Sequence, residues 1–271
     1  MAIHTIIVCG AGTMGSGIAQ LAARYGHDTY LFDREASALE RARASIEKRL
    51  PGAPVHYTNT IPAEKADLVI EAIVERLDAK IGLLQSMAVH DGTILASNTS
   101  SLSIDALQDA LPNPGRVAGL HFFNPAPVMK LVEVVRGTKT DAAVAEALQE
   151  LVSGWEKTPV VCKDAPGFIV NRVARPFYLE ALRLAEASQL AEAGEGAYDA
   201  IDRICEATGF RMGPFRLMDL IGNDINLAVT RSLFEASGKA PRFTPSRLQE
   251  DTVARGDLGR KTGKGYYTYA N

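Results

Sequence analysis

Gly10-Ala11-Gly12-Thr13-Met14-Gly15 constrains the fold of this chain more than any other segment, because glycines at this spacing suit a backbone that turns from a strand straight into a helix. Before it, Ile3 to Cys9 is a short β-rich run; after it, Met14, Ile18, Leu21 and Tyr25 recur at helical spacing. Gly26-His27-Asp28 closes that helix, and Thr29 to Phe32 forms a second strand ending at Asp33. Gly10 suits the tight turn, Gly12 the close approach of a phosphate to the backbone, and Gly15 the packing of helix on strand. The first helical turn then presents N–H groups and the positive end of a dipole. With an acid about twenty residues on at the end of the next strand, the segment is expected to be a Rossmann-type dinucleotide site. The plainer reading is a glycine-rich turn in some other α/β domain.

Asp33 bears on the choice of dinucleotide. A carboxylate there accepts hydrogen bonds from both ribose hydroxyls and repels a 2′-phosphate, which favours NAD over NADP. Arg34 next to it is a cation that pairs with such a phosphate if Asp33 turns away. Further strands are expected at Pro54 to Thr58, Asp67 to Ile73, Thr93 to Asn98, Arg116 to Phe123, Lys130 to Arg136 and Thr158 to Cys162. Helical stretches alternate with them at Glu35 to Leu50, Asp78 to Val89, Ser103 to Leu111 and Asp141 to Trp155. Such alternation implies an α/β fold with a mainly parallel, doubly wound sheet. Near Asp164-Ala165-Pro166-Gly167 the pattern changes to helix and loop, with a strand again only at the C-terminal tyrosines. The expectation is a Rossmann domain over 1–165 and a smaller all-α domain over 166–271, with apolar helices at Phe168 to Ala187, Tyr198 to Thr208 and Leu217 to Phe234.

Composition excludes more than it assigns. A formal net charge of -3 with interspersed signs gives no basic footprint, so no nucleic-acid partner is expected. The cysteines Cys9, Cys162 and Cys205 are far apart, which offers neither a metal-ligand spacing nor a disulfide framework and fits a reduced, cytoplasmic setting. No metal site is expected. No apolar run approaches the length of a membrane span, and the chain enters an apolar strand without a charged leader.

The segment Gly119 to Glu133 carries the candidate chemistry. If the strands either side of Pro125-Ala126-Pro127 pair antiparallel about Pro127, His121 lies opposite Glu133, within side-chain reach. A carboxylate there holds the imidazole in one tautomer and favours its protonated form, as suits a general base. The competing reading is a structural histidine with an unrelated glutamate. Ligands in an open α/β sheet sit beyond the carboxyl ends of the strands, where Ser100, His121 and Asn124 all fall. Ser100 belongs to the run Ser97 to Ser101, which also reads as an N-cap for the helix that follows.

Taken together, GAGTMGSGIAQ, DLVIEAIVE, ASNTSSLSI, GLHFFNPAPVMKLVEVV, CKDAPGFIVNR, MGPFRLMDLIGND and LGRKTGKGYYTY resemble, in order and over nearly the whole chain, the L-3-hydroxyacyl-CoA dehydrogenase family with its 3-hydroxybutyryl-CoA members. The resemblance implies that His121 is the base for the 3-hydroxyl proton, oriented by Glu133. It implies that Ser100 and Asn171 hold the substrate hydroxyl and carbonyl, with Ser100 also near the nicotinamide. Glu75, Lys80, Asn124 and Lys261 then join the Gly10, Ala11, Gly12, Thr13, Met14 and Gly15 turn and Asp33 as NAD contacts. An acyl-CoA substrate and a homodimer through the helical domain are implied as well. Arg242 or Arg247 is a candidate to meet a second carboxylate on the acyl group. One departure is large: between Asp33 and Asp67 the family usually carries a helical hairpin over coenzyme A, and here the interval is shorter by roughly two dozen residues, most of two helices at about 1.5 Å per residue. A dehydrogenase of a non-CoA 3-hydroxy acid or sugar acid, and a non-catalytic NAD-binding protein, are the alternatives.

Overall fold

In the computed structural model, residues 2–62, 65–88, 90–187 and 195–269 are described. The chain forms two compact units, Met1–Phe168 and Ile169–Asn271.

The first unit is built on one sheet of eight strands: β1 (Thr5–Cys9), β2 (Asp28–Phe32), β3 (Val55–Thr58), β4 (Leu68–Glu71), β5 (Ile94–Ser97), β6 (Val117–Phe122), β7 (Leu131–Arg136) and β8 (Thr158–Lys163). Their spatial order is β3-β2-β1-β4-β5-β6-β7-β8. Every neighbouring pair is parallel except β6 and β7, which form an antiparallel hairpin. Strands of such a sheet bury both faces, so they appear in sequence as unbroken apolar runs rather than alternations. In β1, Ile6 and Val8 enter one buried cluster with Ile18 and Leu31, while Ile7 and Cys9 enter another with Val69 and Leu84. The helices covering these faces are α1 (Thr13–Arg24), α2 (Ala36–Arg49), α3 (Leu77–Met87), α4 (Ile104–Ala110) and α5 (Ala142–Gly154). The end of the expected helix at Val89 lies outside the described residues. Strand order reverses between β1 and β4, and a crevice beyond their carboxyl ends is where such a sheet receives a ligand.

The second unit contains α6 (Val170–Ala187), α7 (Glu195–Ala207), α8 (Pro214–Ile221), α9 (Asn223–Ala236) and α10 (Arg247–Ala254). Leu179, Leu182, Tyr198, Phe215, Met218, Leu233 and Tyr266 pack as its core. The single helix expected from Leu217 to Phe234 is two, because Gly222 takes φ 104 and its N–H closes α8 on the Met218 carbonyl at 2.9 Å. Only glycine adopts that backbone without a steric penalty. Around the C-terminal tyrosines the described residues form isolated bridges, Gly259 with Lys264 and Lys264 with Thr268, instead of a strand. Their segment is tied down by buried Asp219, which accepts from the Tyr266 and Tyr267 backbone N–H groups at 3.0 Å each. No helix among the described residues is long and apolar enough to cross a membrane.

Candidate active site

The β6–β7 hairpin pairs His121 with Glu133. Both side chains are buried, and His121 Nδ1 lies 2.7 Å from Glu133 Oε2. A carboxylate can only accept, so Nδ1 donates to it, and in the neutral ring Nε2 is then the nitrogen with the lone pair. The rings of Phe123 and Phe168, with centroids 4.5 and 5.9 Å from that of the imidazole, pack beside it. Asn98, at the end of β5, accepts from the Phe122 N–H at 2.9 Å and ties the strand before the turn to its neighbour. The turn itself closes on the Pro125 carbonyl, which accepts from Val128 N at 2.9 Å and Met129 N at 3.0 Å. Ala126 and Pro127 press against α1 at Gly17, where a Cβ would come within 3.0 Å of the Pro127 ring. The His121–Glu133 pair is thereby carried by a hairpin whose turn packs onto the helix that leaves the glycine turn.

At that turn, Gly10 has φ 105, and a Cβ on Gly15 would overlap the Gly10 carbonyl oxygen. A Cβ on Gly12 would meet nothing within 4 Å. Gly12 caps α1 without any side-chain bond, and the helix carries no acid in its first turn. The Asp33 carboxylate accepts from Ala11 N at 2.7 Å and from Glu35 N at 2.9 Å, so it braces the turn while retaining lone pairs for a further donor. These groups line a cavity of about 690 Å³ that also touches Ala72, Ile73 and Val74 after β4. An open approach to Gly12, an uncapped helix N-terminus and an acceptor at the end of β2 fit a dinucleotide's pyrophosphate and ribose.

Ser100 sits in a polar network that the sequence only partly disclosed. Glu75 Oε1 accepts from Thr99 Oγ1 at 2.6 Å, Ser100 N at 2.9 Å and Ser100 Oγ at 3.3 Å. Its other oxygen lies 3.1 Å from Lys80 Nζ. Burial works to raise the pKa of Glu75, but the Lys80 charge and the bonds from Thr99 and Ser100 outweigh it, leaving the carboxyl below its ordinary 4.5. Lys80, expected at the cofactor, is buried with its ammonium directed to Glu75 and, at 2.6 Å, to Glu71. Sequence reasoning missed Glu71. It is fully buried, and besides Lys80 it accepts from Ser97 Oγ at 2.6 Å and Ile73 N at 2.7 Å. The available signal was a carboxylate ending an otherwise apolar strand, Leu68-Val69-Ile70-Glu71. The capping role considered for Ser97 to Ser101 falls instead to Ser103, whose hydroxyl accepts from Ala106 N at 3.1 Å.

The other candidates are placed as follows. Thr13 is exposed at the start of α1, and Met14 is half-buried against the core. Asn124 is exposed at the entry to the Pro125 turn and is joined to Pro125 by a cis peptide bond. Asn171 lies in the first turn of α6, half-buried, in the second unit. Lys261, also in the second unit, pairs with Asp224 at 2.6 and 2.7 Å. Arg242 and Arg247 are exposed. No group of three or more His, Cys, Asp or Glu residues able to hold a metal ion occurs among the described residues.

Residues 5–165 match the family description "3-hydroxyacyl-CoA dehydrogenase, NAD binding domain", and residues 167–269 match the C-terminal domain of the same family. A 3-hydroxyadipyl-CoA dehydrogenase of Escherichia coli K12 is 47% identical over 289 residues, covering 98% of this chain and 59% of that protein. The chain thus spans about three fifths of the length of this relative. A solved 3-hydroxybutyryl-CoA dehydrogenase from the same organism superposes with a TM-score of 0.92 at 46% identity, covering 100% of this chain and 61% of that one. An (S)-3-hydroxybutyryl-CoA dehydrogenase from Ralstonia eutropha gives a TM-score of 0.90 at 34% identity, with both chains covered completely. The chain belongs to the 3-hydroxyacyl-CoA dehydrogenases, a family of NAD-dependent oxidoreductases, with the family's NAD-binding domain in its first unit and its C-terminal domain in its second.

Proposed function

We propose that this chain interconverts an L-3-hydroxyacyl-CoA and the 3-oxoacyl-CoA, with His121 as the general base and acid. The observation that carries the reading is the buried 2.7 Å contact between His121 Nδ1 and Glu133 at the carboxyl edge of the sheet. With Nδ1–H held by the carboxylate, Nε2 takes the 3-hydroxyl proton on oxidation and returns it on reduction. Glu133 keeps the ring in that tautomer and stabilises the cation formed when it is protonated. Ser100, steadied by Glu75, and Asn171 hold the reacting oxygen and the thioester carbonyl. The Gly10 to Gly15 turn, including Ala11, Thr13 and Met14, holds the pyrophosphate, Asp33 the adenosine ribose, and Glu75, Asn124 and Lys261 complete the cofactor contacts. NAD, when bound, supplies the acceptor for the hydride that leaves C3. In this reading Lys80 acts through Glu75, which it holds in place.

Coenzyme A needs cations for its phosphates. α2 leads into β3 over 50–54 without another helix, and its Arg41 and Arg49 line the same cavity as the glycine turn and Asp33, without ion-pair partners among the described residues. These arginines are proposed to meet the coenzyme's phosphates. Exposed Ile204, Phe210, Leu220 and Ile225 in the second unit support a homodimer, to be checked by sedimentation equilibrium, in which a mass of one protomer would refute it.

The central test is NADH oxidation with acetoacetyl-CoA beside free acetoacetate and a sugar acid. Selective turnover of the thioester with the L isomer formed, and preference for NADH over NADPH, are expected. Selective turnover of an underivatised acid would sink the assignment, and preference for NADPH would overturn the role of Asp33.

A further inference from the structure

Arg175 in the second unit is a buried cation without a counter-ion. It is 4% exposed and forms no ion pair among the described residues. Its Nη1 donates to Asn226 O at 3.0 Å, to Asn226 Oδ1 at 2.9 Å and to Thr230 Oγ1 at 2.9 Å, all on α9. Its Cζ stands 4.7 Å from the Tyr178 ring centroid. Nε is buried and has no hydrogen-bond partner. One corner of the guanidinium is therefore anchored by three neutral acceptors, while the Nε side, half of the fork that matches a carboxylate bidentately, is unused.

Such an arrangement costs free energy when nothing completes it, because a buried charge without a partner forfeits its hydration. Burial pushes the guanidinium down to about 10, so it remains a cation at neutral pH. Position along the helix suggests what completes it. Arg175 follows Asn171 by four residues on α6, which puts both on one helical face about 6 Å apart along the axis. Asn171 is the residue of this unit proposed above to hold the reacting end of the acyl group. Three carbons beyond C3 span roughly 4 Å, a distance of the same order as that separation.

We propose that Arg175 is a specificity residue that receives a terminal carboxylate on the acyl chain, so that the preferred substrate is a dicarboxylic 3-hydroxyacyl-CoA. This rests on the dehydrogenase reading of the site. Arg242 and Arg247, the sequence-based candidates for this charge, lie on the solvent-exposed surface, where a guanidinium stays hydrated and discriminates little. Arg175 is already desolvated and held on one side. A neutral acyl terminus would leave its charge uncompensated, and a site built around a buried polar group rejects a ligand that lacks the partner.

The experiment compares catalytic efficiency on 3-hydroxyadipyl-CoA and 3-hydroxyhexanoyl-CoA, which have equal carbon number and differ only in the terminal group. Wild type is expected to prefer the dicarboxylic substrate by roughly a hundredfold, within the range for a buried charged partner. Arg175→Met should bring that ratio to one or below whatever its absolute activity, since a ratio measured on one preparation cancels the folded fraction. Should that variant be insoluble, Arg175→Lys, which keeps the cation but loses the Nε donor and the planar fork, takes its place and should lower the ratio at least tenfold. Equal efficiency of wild type on the two substrates, or an undiminished preference in Arg175→Met, overturns the inference and leaves the dehydrogenase reading intact. Failure to turn over any of the CoA thioesters, acetoacetyl-CoA in the reverse direction included, would instead overturn that reading.

Discussion

Replacing His121 with alanine is expected to lower kcat by about a hundred- to ten-thousandfold, the usual scale for loss of a general base. NADH should still bind, because the proposed cofactor turn meets the His121 hairpin through Ala126 and Pro127 packed on α1, which the substitution leaves in place. The two readouts separate chemistry from assembly: turnover from steady-state kinetics, and binding from nicotinamide fluorescence. His121 is buried between Phe123, Phe168 and Glu133, so alanine also leaves a void and removes one donor from a buried carboxylate. His121→Gln fills more of that space without supplying a base of comparable strength. Both variants should be inactive to a similar degree. Retention of kcat within tenfold in either would mean that the pair is structural.

The second large effect is expected at the glycine turn, where two neighbouring glycines should behave differently. A Cβ on Gly15 overlaps the Gly10 carbonyl oxygen, a backbone atom that cannot rotate aside, so α1 must move off β1. Gly15→Ala is expected to destabilise the first unit by about 1–3 kcal/mol, the range for overpacking, and to lose most NADH affinity. At roughly 2–4 °C per kcal/mol for a unit of this size, calorimetry should resolve the shift. Gly12→Ala places its methyl in open space. Its melting temperature should match wild type while NADH affinity falls, because the space it occupies is the one proposed for the pyrophosphate. Full NADH affinity in a stable Gly12→Ala protein would move the cofactor elsewhere.

Features governed by local rules were legible in the sequence. All eight strands and the glycine turn follow from short-range patterns, and the His121–Glu133 register follows from equal spacing about Pro127, since a hairpin's pairing is set by its turn. Features that depend on distant partners were not. Nothing near Glu71 indicates that Ser97, 26 residues on, will donate to it. Arg175 resembles any helical arginine until α9 folds back to supply Asn226 and Thr230. The break at Gly222 was hidden because the apolar pattern of Leu217 to Phe234 continues across it, and backbone handedness does not show in hydrophobic periodicity. The helix Arg247–Ala254 was overlooked although Ser246, with Gln249 three positions on, carries a capping signature, and the Ser246 hydroxyl accepts from Gln249 N at 3.3 Å.

The two halves of the first unit's site differ in the entropy of assembling them. His121 and Glu133 are 12 residues apart and meet when one hairpin closes. The contacts that shape the proposed cofactor side join residues 22 to 26 apart: Ala11 to Asp33, Glu75 to Thr99, Glu71 to Ser97. Closing a loop twice as long costs only about 0.6 kcal/mol more, yet the cofactor side needs several such closures at once, each fixing a backbone otherwise free to wander. The His121–Glu133 pair is thus the least entropically demanding part of the proposed site. The cofactor side carries the larger ordering cost, and it is also the side where a ligand that binds only the folded form contributes stability by mass action. In a chain of this construction, abundance of the dinucleotide and persistence of the folded first unit are thermodynamically coupled.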